Sequence, residues 1–127
     1  MTSFAITNTT RSAYPSHPYE KIKNDILGKD YSLSLSFVGA TRAEALNKTY
    51  RNKTYTPNVL SFPLDKNNGE IFIAPSVAKR EAKKFSMTVR GYVGFLFIHG
   101  CLHLKGHDHG ATMERAEKRY CAKYSLR

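Results

Sequence analysis

The sequence predicts an α/β fold, a small mixed β-sheet of about four strands packed with about five helices. Three observations lead there. Tyr31 to Val38 reads YSLSLSFV, large apolar residues alternating with Ser, the period of a half-buried strand. Val59 to Leu64 (VLSFPL) and Glu70 to Ala74 (EIFIA) are two short strand-like runs. The DKNNG between them is rich in residues that tolerate positive φ, so the two form a hairpin. Most of the chain beyond the hairpin carries helical patterning, and a strand–helix–strand order with a hairpin and a helical C-terminal half is the signature of a layered α/β domain. All 127 residues are expected to form one domain, since the length supports one core and is short for two.

From the N-terminus onward, Pro18 and EKIKNDIL predict a first helix, with Pro near its start and Gly28 just past its end. Gly39 breaks the strand after it. Thr41 reads as an N-cap with Glu44 three residues on, a capping box opening a helix through about Tyr50. After the hairpin, Pro75 and Ser76 start a basic helix through about Phe85. A break at Arg90–Gly91 precedes VGFLFIHGCLHLKG, apolar enough for a buried helix that stops at Gly106 after Lys105. Met113 to Tyr124 is a final charged helix.

Composition narrows the function. Hydrophobic residues at 41% exclude wholesale disorder. Twenty Lys and Arg against ten Asp and Glu give a formal charge of +10, which attracts polyanions. Cys101 and Cys121 form neither a disulfide framework nor a CxxC pair, so a reducing compartment is expected. MTSFAITNTT lacks the features of a signal peptide, and Val93 to Ile98 is far too short to span a bilayer. These features predict a cytoplasmic protein without a membrane partner.

Four of the five histidines fall between His99 and His109, in HGCLHLKGHDH. His99 and His103 are four apart, so on a helix both imidazoles leave one face and can share an ion. Gly106 can turn the chain so that His109 supplies a third ligand. Three nitrogens leave a coordination position open for water, the pattern of a catalytic site. Bound to zinc, that water ionises near neutral pH and becomes a nucleophile. Phe95, Leu96, Phe97, Ile98, Leu102 and Leu104 would form the dry wall around the ligands.

The spacing also matches H-E-x-x-H-x-x-G-x-x-H of the metzincin proteases, but Gly100 stands where those enzymes place their general-base Glu. Peptidase chemistry is therefore disfavoured while the metal cage survives, and the source of the general base stays open. Asp108 either hydrogen-bonds a ligand ring from outside or is a turn residue. His107 is either an exposed ring or a substrate contact. Cys101, two positions from His99, faces another way and fits a small buried hydrophobe.

HGCLHLKGHDH closely resembles the H-G-x-L-H-L-x-G-Y-D-H signature of the YbeY family of rRNA maturation endoribonucleases. Leu46 to Pro63, LNKTYRNKTYTPNVLSFP, and Gly69 to Ile73, GEIFI, resemble two further segments of that family in the same order. The resemblance implies an α/β fold with one zinc ion, held by His99, His103 and His109 at the base of a positively charged groove. It implies a single-strand-specific endoribonuclease of the bacterial cytoplasm that acts in small-subunit rRNA end processing and ribosome quality control. The partners implied are single-stranded rRNA and the ribosome or its small-subunit proteins, with no DNA.

The family's functional arginine falls on Arg51, followed by Lys53. By itself Arg51 reads as a solvated helix-end charge; with the resemblance it becomes a phosphate clamp, since a guanidinium can bind two phosphate oxygens at once. Lys53, Lys66, Lys79, Arg80, Lys83, Lys84 and Arg90 could extend a basic track for the RNA backbone. The sequence departs from the family at His107, where a Tyr is usual, in the shortened segment GATMERAEKRY, and in Met1 to Ser16, which match nothing named. Two other readings share the cage: a metzincin-like hydrolase of another substrate, and a ribosome-binding module with a structural metal.

Overall fold

A computed structural model describes residues 3–127 of the chain. Its elements are β1 (Phe4–Asn8), α1 (Tyr19–Leu27), β2 (Ser32–Phe37), α2 (Ala40–Arg51), β3 (Val59–Asp65), β4 (Asn68–Ile73), α3 (Pro75–Ala82), α4 (Val89–Lys105) and α5 (Ala111–Lys123), with a 3₁₀ turn at Lys83–Phe85 after α3. The strands form one mixed sheet in the order β1-β2-β4-β3. β1 and β4 lie parallel to β2, and β3 pairs antiparallel with β4 through the hairpin. The mixed α/β expectation is met.

Leu33, Leu35 and Phe37 are buried along β2 while its serines are half-buried, as the alternation requires. β1 is the strand to which the sequence patterning assigns no position. It pairs with β2 from Phe4↔Leu33 to Asn8↔Phe37, yet only Phe4 and Ile6 of its five residues are even partly buried. So weakly apolar a segment is a strand because β2 offers it an edge, not because of its own pattern.

α5 starts at Ala111 and β4 at Asn68, each two residues ahead of expectation, and two further helix starts differ for physical reasons. Thr41 does not cap α2: the helix begins at Ala40, with Gly39 as N-cap, and Glu44 accepts a hydrogen bond from Thr56 instead of closing a capping box. Once Gly39 ends the strand, the helix starts at the next residue and Thr41 is already inside its first turn. Nor does Arg90–Gly91 break the chain. α4 starts at Val89, where the Thr88 hydroxyl accepts from Gly91 N at 3.0 Å and donates to the Arg127 carbonyl at 2.7 Å. Gly91 is there because a Cβ would lie 2.0 Å from that carbonyl oxygen.

α4 is the central helix. It packs on α1, α3, α5 and the β3–β4 half of the sheet. Val93, Phe97, Ile98 and Cys101 are fully buried on it. It runs 17 residues, and no single helix among the described residues is long and apolar enough to cross a membrane. At Gly100 the helix lies close against the sheet, and the Ser61 hydroxyl on β3 donates to its carbonyl at 3.1 Å. A Cβ at 100 would stand 2.9 Å from Ser61 Oγ and 3.0 and 3.3 Å from two carbons of Ile71.

At an exposed helix position Gly→Ala stabilises by up to about 1 kcal/mol. At 100 the sign reverses, because overpacking against a sheet costs roughly 1–3 kcal/mol. Gly100→Ala is therefore expected to lower the urea midpoint with an unchanged slope; an unchanged or raised midpoint would mean that α4 can lift away from the sheet freely.

Candidate metal centre and phosphate cleft

α4 presents His99 and His103 one turn apart. Gly106 ends the helix in the left-handed conformation, its N–H directed to the Leu102 and His103 carbonyls. The chain then folds back through His107 and Asp108 to bring His109 beside the pair. The three ring centroids lie 4.5, 4.8 and 5.3 Å apart. One ligand atom from each ring falls within 4.8 Å of the others, and the two Nε2 atoms of His99 and His103 are 3.0 Å apart.

The outer edges of the rings are held. His99 Nδ1 lies 2.6 Å from a carboxylate oxygen of Glu117 on α5, and His103 Nδ1 lies 3.1 Å from the His107 carbonyl oxygen. In each case Nδ1–H donates outward, which fixes the tautomer and leaves Nε2 as a free lone pair facing inward. Burial, followed by the neighbouring His99 and His109, holds the His103 imidazole below its ordinary pKa and so in the neutral form a metal needs. Three imidazoles whose ring nitrogens converge to within 4.8 Å fit a divalent cation.

Glu117 is a site residue that the sequence patterning does not single out. It lies on α5 between Met113 and Tyr120, both buried, so at helical spacing it shares the inward face. An acidic residue on a buried stripe is the signal that could have found it. Asp108, considered for this outer role, is exposed and is not the carboxylate that orients His99.

The cage opens into a cleft of about 590 Å³ that is also lined by Arg51, Tyr55, Asn58 and Ser61. Arg51 is the last residue of α2. Its Nη1 donates to Asn47 Oδ1 at 3.0 Å and to the Tyr55 hydroxyl at 2.9 Å. Asn47 is fully buried, and its Nδ2 donates to the Tyr55 carbonyl at 2.9 Å. One buried amide thus anchors both the loop and the guanidinium, whose Nε and Nη2 make no hydrogen bond among the described residues. No Asp or Glu lines this cleft. The cleft therefore favours anions.

The structure brings together Arg51, His99, His103 and His109 of the sequence-derived set. Lys53 is exposed and does not line the cleft, although its N–H bonds the Asn47 carbonyl. His107 contributes its carbonyl to His103, while the residue itself lines a separate depression with Arg115 and Arg119 of α5. Cys101 is fully buried, and that burial pushes its thiol pKa up, as for an inert core residue.

Comparison with known proteins places this geometry. A relative from Mesoplasma florum, named endoribonuclease YbeY, is 37% identical over 79% of this chain and 62% of its own length. One from Alkaliphilus oremlandii is 39% identical over 71% and 66%, and one from Polaromonas naphthalenivorans is 32% identical over 85% and 74%; both carry the same name. The chain thus spans about three-fifths of the length of the first of these relatives. A solution structure from Thermotoga maritima shares the fold with a TM-score of 0.67 at 24% identity, covering 95% of this chain and 88% of that one. The family described as endoribonuclease YbeY matches residues 4–125, reaching well beyond the Leu46–His109 motifs into the N-terminal part, and this chain belongs to that family.

Proposed function

We propose that this chain is a metal-dependent endoribonuclease that cuts single-stranded RNA during ribosomal RNA maturation and ribosome quality control. The observation that carries the proposal is one cleft holding a three-imidazole cage and an anchored arginine, with no carboxylate among its lining residues. The relatives named endoribonuclease support it, as does a charge of +10, which suits a polyanionic substrate presented by the ribosome. A cytoplasmic location accords with this substrate.

His99, His103 and His109 would hold one ion, with zinc the best match to three imidazoles. When bound there, zinc supplies Lewis acidity and water activation near neutral pH. The chain's own residues do the rest. Glu117 and the His107 carbonyl keep two ligand rings in register. Arg51 engages the phosphate through Nε and Nη2, because Nη1 is committed to Asn47 and Tyr55. A guanidinium fixed in this way loses little freedom on binding and meets the charge that builds on the phosphate oxygens during cleavage. Leu60, itself buried, lines the cleft beside these polar groups. Gly100 provides no carboxylate, so a peptidase mechanism lacks its base.

Purified protein, stripped of metal and then reconstituted with zinc, should cut single-stranded ribosomal RNA only when reconstituted. His103→Ala should abolish cutting, and Arg51→Ala should lower kcat/KM by about a hundredfold or more. Arg51→Lys should recover little, because an ammonium cannot reproduce the fork. Cutting that survives His103→Ala would mark a contaminating nuclease. RNA binding with no cutting at any metal loading would establish a binding module, and hydrolysis of an unstructured protein would establish the peptidase.

Glu117→Gln keeps the shape but removes the charge that supports His99. Zinc affinity, measured by competition with a chromophoric chelator, is expected to fall by about 10- to 100-fold. Unchanged affinity would show that Glu117 only packs.

A further inference from the structure

A second cavity, which the cleavage reading does not use, opens on the other side of the cage. It measures about 230 Å³ and shares His99, His109, Asn58 and Val59 with the Arg51 cleft. Its own walls are Tyr92 and Phe95 from α4 and Met113, Glu114 and Glu117 from α5. At that volume it lies below the roughly 300 Å³ at which pockets for drug-sized ligands begin, so it suits a single ring system.

The two cavities have opposite chemistry. The first has a guanidinium and no carboxylate; the second has two carboxylates and no Lys or Arg. A phosphate would be repelled from the second. Its aromatic wall is ordered: Tyr92 stacks on Phe95 (5.8 Å, 21°) and is backed from outside the cavity by Phe85 (5.5 Å, 16°), with Phe95 half-buried at the cavity.

Polar groups in the wall are mainly acceptors. Asn58 Nδ2 donates to Glu81 at 2.7 Å and to the Tyr92 hydroxyl at 3.2 Å, and that hydroxyl donates to Glu81 at 3.1 Å. This closed triangle commits both amide protons of Asn58 and leaves its carbonyl oxygen as the group it can offer. Glu117 is engaged by His99, whereas Glu114 is exposed and makes no side-chain hydrogen bond among the described residues. An uncharged flat ring with N–H donors on its edge is the ligand that such walls accept.

We infer that this cavity is a nucleobase subsite: it receives the base of a nucleotide flanking the scissile phosphate, with Phe95 as stacking surface and Glu114 and Asn58 as acceptors for an exocyclic amino group. Adenine, cytosine and guanine carry that group and uracil does not, so uridine is the disfavoured occupant. The inference rests on the endoribonuclease reading and adds polarity to it, phosphate on the Arg51 side and base on the α5 side. Stacking on an aromatic side chain contributes between about fivefold and a hundredfold per base.

Two measurements test it on the zinc-loaded full chain. In the first, adenosine monophosphate, uridine monophosphate and ribose 5-phosphate are titrated while the Met113 methyl resonance is followed by NMR. The adenosine compound should shift it saturably, the uridine compound more weakly and the base-free sugar phosphate not at all; Phe95→Leu should weaken the adenosine response. In the second, a single-stranded RNA with one mapped cut is compared with versions abasic at either flanking nucleotide. One abasic position should lower kcat/KM by about fivefold to a hundredfold in the native protein and by much less in Phe95→Leu.

Equal shifts with adenosine monophosphate and ribose 5-phosphate, or equal cutting of all three RNAs, would overturn the subsite while leaving the nuclease intact. If no RNA is cut, the endoribonuclease reading falls, and the Met113 titration still decides what the cavity holds. Should Phe95→Leu fail to fold, Glu114→Gln provides the second variant: it should narrow the difference between the adenosine and uridine compounds, and an unaltered difference would count against the acceptor wall.

Discussion

Everything at the site depends on the depth at which α4 is seated. The helix carries two of the three imidazoles, and Gly100 between them lets its backbone rest directly on the Ser61 and Ile71 side chains of β3 and β4. His99 and His103 flank this contact along the helix and line one cleft with Arg51. Packing of α5 against the same helix then brings Glu117 to His99. The position that in a similar histidine motif holds a catalytic base here serves packing.

The polar groups around the cleft are organised by a few buried or half-buried amides and carboxylates that hydrogen-bond one another. Asn47 is fully buried, and its hydrogen bonds join α2, the loop carbonyl of Tyr55 and the Arg51 guanidinium. Asn58, Glu81 and Tyr92 form a second closed set, in which burial and the nearby carboxylate push the tyrosine pKa up to about 12 and keep its proton in place. A buried polar group left unpaired costs about 1–3 kcal/mol, so satisfied sets of this kind specify one arrangement of the loop between α2 and β3. That loop contributes Tyr55 and Asn58 to the cleft beside Arg51.

Charge is distributed unevenly across the cage. The wall toward Arg51 has no acidic side chain, whereas the wall toward α5 presents Glu114 and Glu117 beside aromatic rings. A single-stranded nucleic acid has the same division between an anionic backbone and flat, neutral bases with polar edges. Under the proposed function, the molecule-wide surplus of cations would draw such a polymer in and the local pattern would set how it lies.

The strong local patterns were legible in the sequence. The Ser alternation of β2, the turn-rich hairpin, the i, i+4 histidine pair and the glycine stop of α4 each follow from periodicity or backbone freedom within a few residues, and each occurs in the structure. The resemblance to an endoribonuclease family brought Arg51 into view, which its own surroundings in the chain did not. What only the tertiary structure decided involves residues distant in sequence. β1 is a strand because an edge of β2 is available to it; the start of α4 is set by a carbonyl 39 residues away; and Glu117 meets His99 across 18 residues. No local pattern encodes a partner on another element, because hydrogen bonds and packing are made in space, whereas propensity and periodicity act along the chain.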